Sequence, residues 1–162
     1  MQYLVETGVE HRDLKASNCL VVLENAQYRV KLADFGLSKS KTLIMQTRGH
    51  KSNNSHCGTV THMAPEVLSN SENIDFEKSD VYSFGIVMFE LLSLAVPFEG
   101  LQPPQILAQV VSGIRPSPIP GDSPPELITL MQECWDAEPY ERPDFESIVR
   151  ELRFSPLGIE DS

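Results

Sequence analysis

The alternation of apolar and polar positions divides the chain into a short β region and a longer helical one. Two β-type runs, CLVVL from Cys19 to Leu23 and YRVKLA from Tyr28 to Ala33, flank the polar turn ENAQ and read as an antiparallel hairpin. From Gly36 to His62, Ser, Thr, Asn, Gly and Lys recur without period, and a loop of that length inside a compact domain is usually functional or mobile. Ser79 can cap a helix from about Asp80 to Ala95, ended by Pro97. Its apolar residues wrap most of the way round, the mark of a central core helix. A second helix is expected from about Pro103 and Pro104 to just before Gly113, with proline in the first turn and glycine past the end. Ser123 and Glu126 form a capping-box pattern with Pro124 at the first helical position, followed by Leu127, Leu130, Met131 and Cys134 on one face and an end near Trp135. A last helix opens at Asp144 and repeats that spacing with Phe145, Ile148, Val149 and Leu152, before SPLGIEDS continues as polar coil over 155–162. The pattern predicts a mainly α domain with a small β-hairpin over residues 1–154.

At 162 residues and 41% hydrophobic, the chain suits one domain with a sizeable core. The longest apolar run, FGIVMFELLSLAVPF from Phe84 to Phe98, falls short of the roughly 20 residues of a membrane span and carries Glu90 at its middle, so it reads as a buried helix. The N-terminal MQYLVETGVEHRD has neither a basic start nor an apolar core and directs no secretion, although an anchor before Met1 stays open. A net charge of -10 repels nucleic-acid backbones and anionic membranes; it keeps a protein soluble and would welcome a mildly basic substrate. The three cysteines are odd in number, with no C-x-x-C spacing, which fits a reducing, cytoplasmic compartment. His50, His56, Cys57 and His62 cluster, but their spacing matches no metal-ligand pattern. Nothing in the sequence sets an oligomeric state.

The segment HRDLKASN, His11 to Asn18, precedes the hairpin. It sets an acceptor (Asp13), a cation (Lys15) and a neutral oxygen ligand (Asn18) within reach of one another. Phosphoryl transfer needs those parts: a group to orient a hydroxyl, a charge to neutralise the developing phosphate, and oxygens for Mg²⁺. Alone the signal is moderate, because charged loops are usually only solvated. At the end of the second strand comes Asp34-Phe35-Gly36, and after the long loop comes Met63-Ala64-Pro65-Glu66.

Three motifs in this order resemble the signature of eukaryotic protein kinases. SDVYSFG (Ser79 to Gly85) and CWDAEPYERPDF (Cys134 to Phe145) extend the resemblance over nearly the whole chain. The resemblance implies that Asp13 is the catalytic base, that Lys15 steadies the γ-phosphate of ATP, and that Asn18 and Asp34 hold Mg²⁺. It implies that His11 and Phe35 belong to a hydrophobic regulatory stack anchored by Asp80, that Gly36 completes the Asp-Phe-Gly motif, and that Leu20 packs beneath the adenine. Glu66 and Arg142 resemble the buried ion pair tying the activation segment to the helical subdomain, with Trp135 and Pro143 around it. Arg12 resembles the arginine that binds a phosphorylated activation-loop residue, here among Ser38, Ser40, Thr42, Thr47, Ser52 and Ser55. Thr59 matches the threonine that bridges to the catalytic Asp and Lys in serine/threonine kinases. Lys15 agrees with that specificity, since tyrosine kinases usually carry patterns such as HRDLAARN or HRDLRAAN. The subgroup resembled is the tyrosine-kinase-like group of serine/threonine kinases. His62 departs from the family pattern, which has Trp or Tyr at that place.

The resemblance implies a protein-kinase-like C-lobe with the N-lobe absent. No Gly-rich loop and no V-A-I-K lysine occur. Two readings stand: a piece of a longer kinase that phosphorylates protein Ser/Thr with Mg²⁺-ATP, inactive by itself, or a non-catalytic module that docks substrates or regulators through its helical lobe.

Overall fold

The computed structural model describes residues 10–34 and 60–154, with side chains through Arg153. Strands β1 (Cys19–Glu24) and β2 (Gln27–Leu32) pair antiparallel from Cys19 opposite Leu32 to Glu24 opposite Gln27. Each strand runs one residue further into ENAQ than the pattern implied. Only Asn25 and Ala26 turn the chain, with φ of 51° and 64°. Such left-handed pairs match the right-handed twist of the strands they join. The hairpin is bare: Leu20, Val21 and Val30 are 52%, 64% and 63% exposed. It is anchored at its base, where the Ala33 N–H donates to the Asn18 carbonyl at 2.8 Å, next to the 3₁₀ turn Ala16–Asn18.

Helix α1 is the single turn Pro65–Leu68. Helix α2, Phe76–Ser93, starts earlier than expected because Asp75, not Ser79, caps it; the Asp75 carboxylate accepts from the N–H groups of Glu77 and Lys78. A carboxylate there satisfies orphan donors and also meets the positive end of the helix dipole. Ser79 serves a tertiary purpose, its hydroxyl lying 3.0 Å from both the Asp75 carbonyl and Glu66 Oε1. The helix ends at Ser93, before Ala95, where Leu94 turns left-handed at φ 52°.

Burial runs along most of α2, as its all-round apolar composition requires. Val81, Tyr82, Ile86 and Phe89 form the core with Ile106 and Val110 of α3 (Pro103–Val111) and Leu130 and Met131 of α4 (Pro125–Cys134). Phe145 and Ile148 of α5 (Phe145–Phe154) close it, and Asp144 Oδ1 caps that helix at the Ser147 N–H, 2.7 Å away. Helix α4 begins at Pro125, one residue later than expected, and the Ser123–Glu126 box is not its cap. A residue before proline is pushed toward extended backbone, and Pro124, preceding Pro125, sits at φ -56°, ψ 126°. Gly85 lets α2 and α4 approach: a Cβ there would lie 3.0 Å from Cys134 Cβ and 3.1 Å from the Trp135 backbone nitrogen. Among the described residues, no helix is long and apolar enough to cross a membrane.

Candidate functional site

Asp80, on α2 and 2% exposed, reaches across to the segment before the hairpin. Its two oxygens accept the backbone N–H groups of His11 (2.6 Å) and Arg12 (2.8 Å). Those bonds hold Arg12 in a left-handed conformation, φ 62°, which a residue with a long side chain adopts only when its surroundings impose it. Burial pushes the Asp80 carboxyl up to about 6, although both N–H groups pull the other way. His11 is fully buried, with Nε2 2.9 Å from the Ala33 carbonyl, so one turn is tied both to α2 and to the end of β2.

Past that turn, Lys15 Nζ lies 2.7 Å from Asp13 Oδ2. The Asn18 amide nitrogen donates to the Asp13 carbonyl at 2.8 Å and to Oδ2 at 3.3 Å. Both atoms facing Asn18 are acceptors, so its nitrogen must point to them and its amide oxygen is turned the other way. Asp34 is exposed, at φ 67°, and directly follows the Ala33 that bonds Asn18. Asn18 and Asp34 therefore supply hard oxygen donors from neighbouring stretches of backbone. That set fits Mg²⁺, which commonly takes one or two protein oxygens and completes its shell with phosphates and water. Among the described residues, no three His, Cys, Asp or Glu side chains converge as a closed metal cage.

The structure joins Glu66 to Arg142 through two parallel bonds, Nη1–Oε1 at 2.8 Å and Nη2–Oε2 at 2.9 Å. Arg142 also donates to the carbonyls of Lys78 and Asp136, at 2.9 and 3.0 Å, and its guanidinium lies 5.2 Å from the Tyr82 ring. Burial pushes the Glu66 carboxyl up, but the bonds and charge of Arg142 outweigh it and hold the carboxyl below its usual range. Trp135 is buried with its ring 6.2 Å from that of Phe89. Leu20 is exposed on the hairpin rather than part of the core. Phe35, Gly36, Thr59 and the six hydroxyl residues from Ser38 to Ser55 lie outside the described residues, as do His50, His56 and Cys57.

Four partners of Arg12 and His62 escaped the sequence reading. Glu10 Oε2 accepts from Arg12 Nε at 2.9 Å and Nη2 at 2.6 Å, while the same guanidinium stacks 4.0 Å over the Phe76 ring. His62 bridges two others, with Nδ1 2.8 Å from Thr61 Oγ1 and Nε2 3.0 Å from Glu90 Oε2. Glu90 left a trace, as a lone charge in an apolar helix; Glu10 and Thr61 left none.

The profile of the family described as protein tyrosine and serine/threonine kinase matches residues 1–152, and the chain belongs to this family. Among the described residues, the mainly helical architecture with a two-stranded antiparallel sheet is consistent with a kinase-like fold. The chain is 41% identical over 152 residues to the serine/threonine/tyrosine-protein kinase HT1 of Arabidopsis thaliana, covering 94% of this chain and 36% of that protein. It is 40% identical over 145 residues to the serine/threonine-protein kinase CTR1 of the same plant, covering 90% of this chain and 16% of CTR1. A light-sensor protein kinase of Ceratodon purpureus is 40% identical over 174 residues, with 95% and 13% covered. The chain thus spans 36% or less of the length of these curated relatives.

Proposed function

We propose that this chain is the C-terminal lobe of a serine/threonine kinase domain of the tyrosine-kinase-like group, and that the parent protein transfers the γ-phosphoryl group of ATP to protein Ser/Thr hydroxyls in the cytoplasm. The observation that carries the reading is the Asp13–Lys15–Asn18 network. Lys15 and Asn18 both bond Asp13 Oδ2, which fixes the carboxylate's orientation. A carboxylate offers about four acceptor sites, so Asp13 can still accept and orient a substrate hydroxyl. In this reading Lys15, already beside Asp13, neutralises charge building on the transferred group. The oxygens of Asn18 and Asp34 hold Mg²⁺, which supplies charge stabilisation to the phosphates of ATP when bound. Leu20 offers the adenine an apolar surface, and the exposed hairpin is where the missing lobe closes the nucleotide site. Positioning provides much of the catalysis in this reaction, so residues 1–162 alone are inactive.

The test is phosphoamino-acid analysis of peptides treated with the full-length protein and Mg²⁺-ATP. Phosphoserine or phosphothreonine is expected, with Asp13→Asn lowering turnover by roughly 10² to 10⁴. Dominant phosphotyrosine overturns the specificity, and undiminished turnover in Asp13→Asn overturns the mechanism. Robust transfer by purified residues 1–162 overturns the need for a second lobe.

A further inference from the structure

Helix α3 is apolar on more than its buried side. Ile106 and Val110 face the core, yet Leu107, Val111 and Ile114 remain 41%, 49% and 49% exposed. Leu107 and Val111 stand one helical turn apart on the same side. Gly113, at φ 87°, then turns the chain back, and the Ile114 N–H donates to the Gln109 carbonyl at 2.9 Å, which sets Ile114 against the last turn. The fourteen residues from Leu101 to Ile114 hold no charge, although 22% of the chain is charged and 22% of fourteen is about three. Arg115, the first charge beyond them, turns inward: it donates to the carbonyls of Trp135 and Val110 at 2.8 and 3.2 Å, with its guanidinium 5.1 Å from the ring of the buried Tyr82. Two polar side chains of the stretch are spent on the helix itself. Ser112 Oγ lies 2.6 Å from the Ala108 carbonyl, and Gln105 Oε1 accepts the Gln102 N–H at 2.8 Å.

We infer that the exposed side of α3 is an interface with a second copy of the same chain. A helix whose apolar residues reach well past its core-facing stripe is normally covered on both sides. Unlike partners are selected largely by complementary charge, and this face offers no charge to complement. An isologous contact needs none, because the same patch meets itself across a two-fold axis. A net charge of -10 makes two copies repel wherever their carboxylates come close, so an uncharged face is where they can meet. Val111 is the middle of the three exposed residues and therefore sits nearest the axis, opposite its own copy. The nine residues of α3 span about 14 Å, which falls short of the roughly 800 Å² per partner of a standard interface, so the association is weak and concentration-dependent. It forms whether or not the parent protein transfers phosphate.

Sedimentation velocity of the full-length protein across the micromolar range tests the contact, with Val111→Glu, Val111→Lys and an equal mixture of the two variants beside the parent. The parent should show a reversible monomer–dimer equilibrium. Each variant alone sets like charges against one another in an apolar contact and should raise the dissociation constant about 10- to 100-fold. The mixture sets opposite charges across the axis and should recover the dimer. A parent that stays monomeric throughout, or a dimer that neither variant weakens, overturns the interface. Weakening by both variants with no recovery in the mixture means that α3 meets some other surface, and overturns the second copy as its partner. Val111 is half exposed, so both variants should melt like the parent. The same exchange at Ile114, beyond the last helical residue, reads the contact where a Val111 variant melts early.

Discussion

Arg142 donates two parallel hydrogen bonds to Glu66, a residue 76 positions earlier, and so ties the segment after the long loop to the turn before α5. Removing one member of a buried pair strands the other charge, and Arg142→Ala is expected to cost about 3 to 5 kcal/mol. Glu66 is held below its usual range, so its contribution is present above the unfolded value of 4.5 and fades as the pH falls through the lower folded value. Denaturant melts at pH 7 and pH 3 check both points: the variant should lose stability at pH 7 and lose less on acidification than the parent. A variant that melts like the parent refutes the role.

Asp80 has the opposite sign. Its carboxyl is raised from 3.8 to about 6, so the folded chain binds this proton more readily than the unfolded chain. Its contribution is fully present below about pH 4 and is lost as the pH rises through about 6. Carboxyl chemical shifts followed by NMR should show a group titrating near pH 6 that is missing in Asp80→Asn. That variant should also lose the decline in stability between pH 4 and pH 6.

Gly85→Ala forces a methyl group to within 3.0 Å of Cys134 Cβ and 3.2 Å of the Met131 carbonyl. Overpacking at a helix contact typically costs about 1 to 3 kcal/mol. Alanine is elsewhere the better helix former, so a stabilised variant in thermal unfolding would contradict the close approach of α2 and α4.

Arg12 already holds the carboxylate of Glu10. We expect a phosphate on one of Ser38, Ser40, Thr42, Thr47, Ser52 and Ser55 to displace it, because a phosphate brings nearly two negative charges against one. Mass spectrometry of the active full-length protein should find such a phosphate, and Glu10→Gln should lower the phosphate occupancy needed for half-maximal activity. Full activity with none of the six modified overturns this regulation.

Most helices were legible because their signals are local. Pro103 in the first turn and Gly113 past the end bound α3, and Asp144 before Phe145 opens α5. The two misread starts arose where several residues competed for one cap: Asp75 prevailed over Ser79, and Pro125 forced Pro124 out of the helix. Within the site, His11 to Asn18 could be read as a unit because its partners lie within a few residues. The bonds from Asp80 to His11 and Arg12, and from Glu90 to His62, join distant segments and follow only from the packing of α2. Periodicity marks which face of a helix is buried, not which polar group meets it.

Helix α2 carries both Asp80 and Glu90, and it works as a ruler. Ten helical steps separate the two anchors by about 15 Å along the axis, since each residue rises about 1.5 Å. One holds the turn before Asp13 and the other holds His62. A loop could gain residues without disturbing either, but one residue inserted between Ser83 and Glu90 would turn everything beyond it by about 100° and carry Glu90 off His62 while Asp80 stayed in place. The spacing between the turn held by Asp80 and the segment that carries His62 is thus written into the count of residues along one rod. Substitution can change which side chains meet at either anchor, but a change in length would move one anchor against the other.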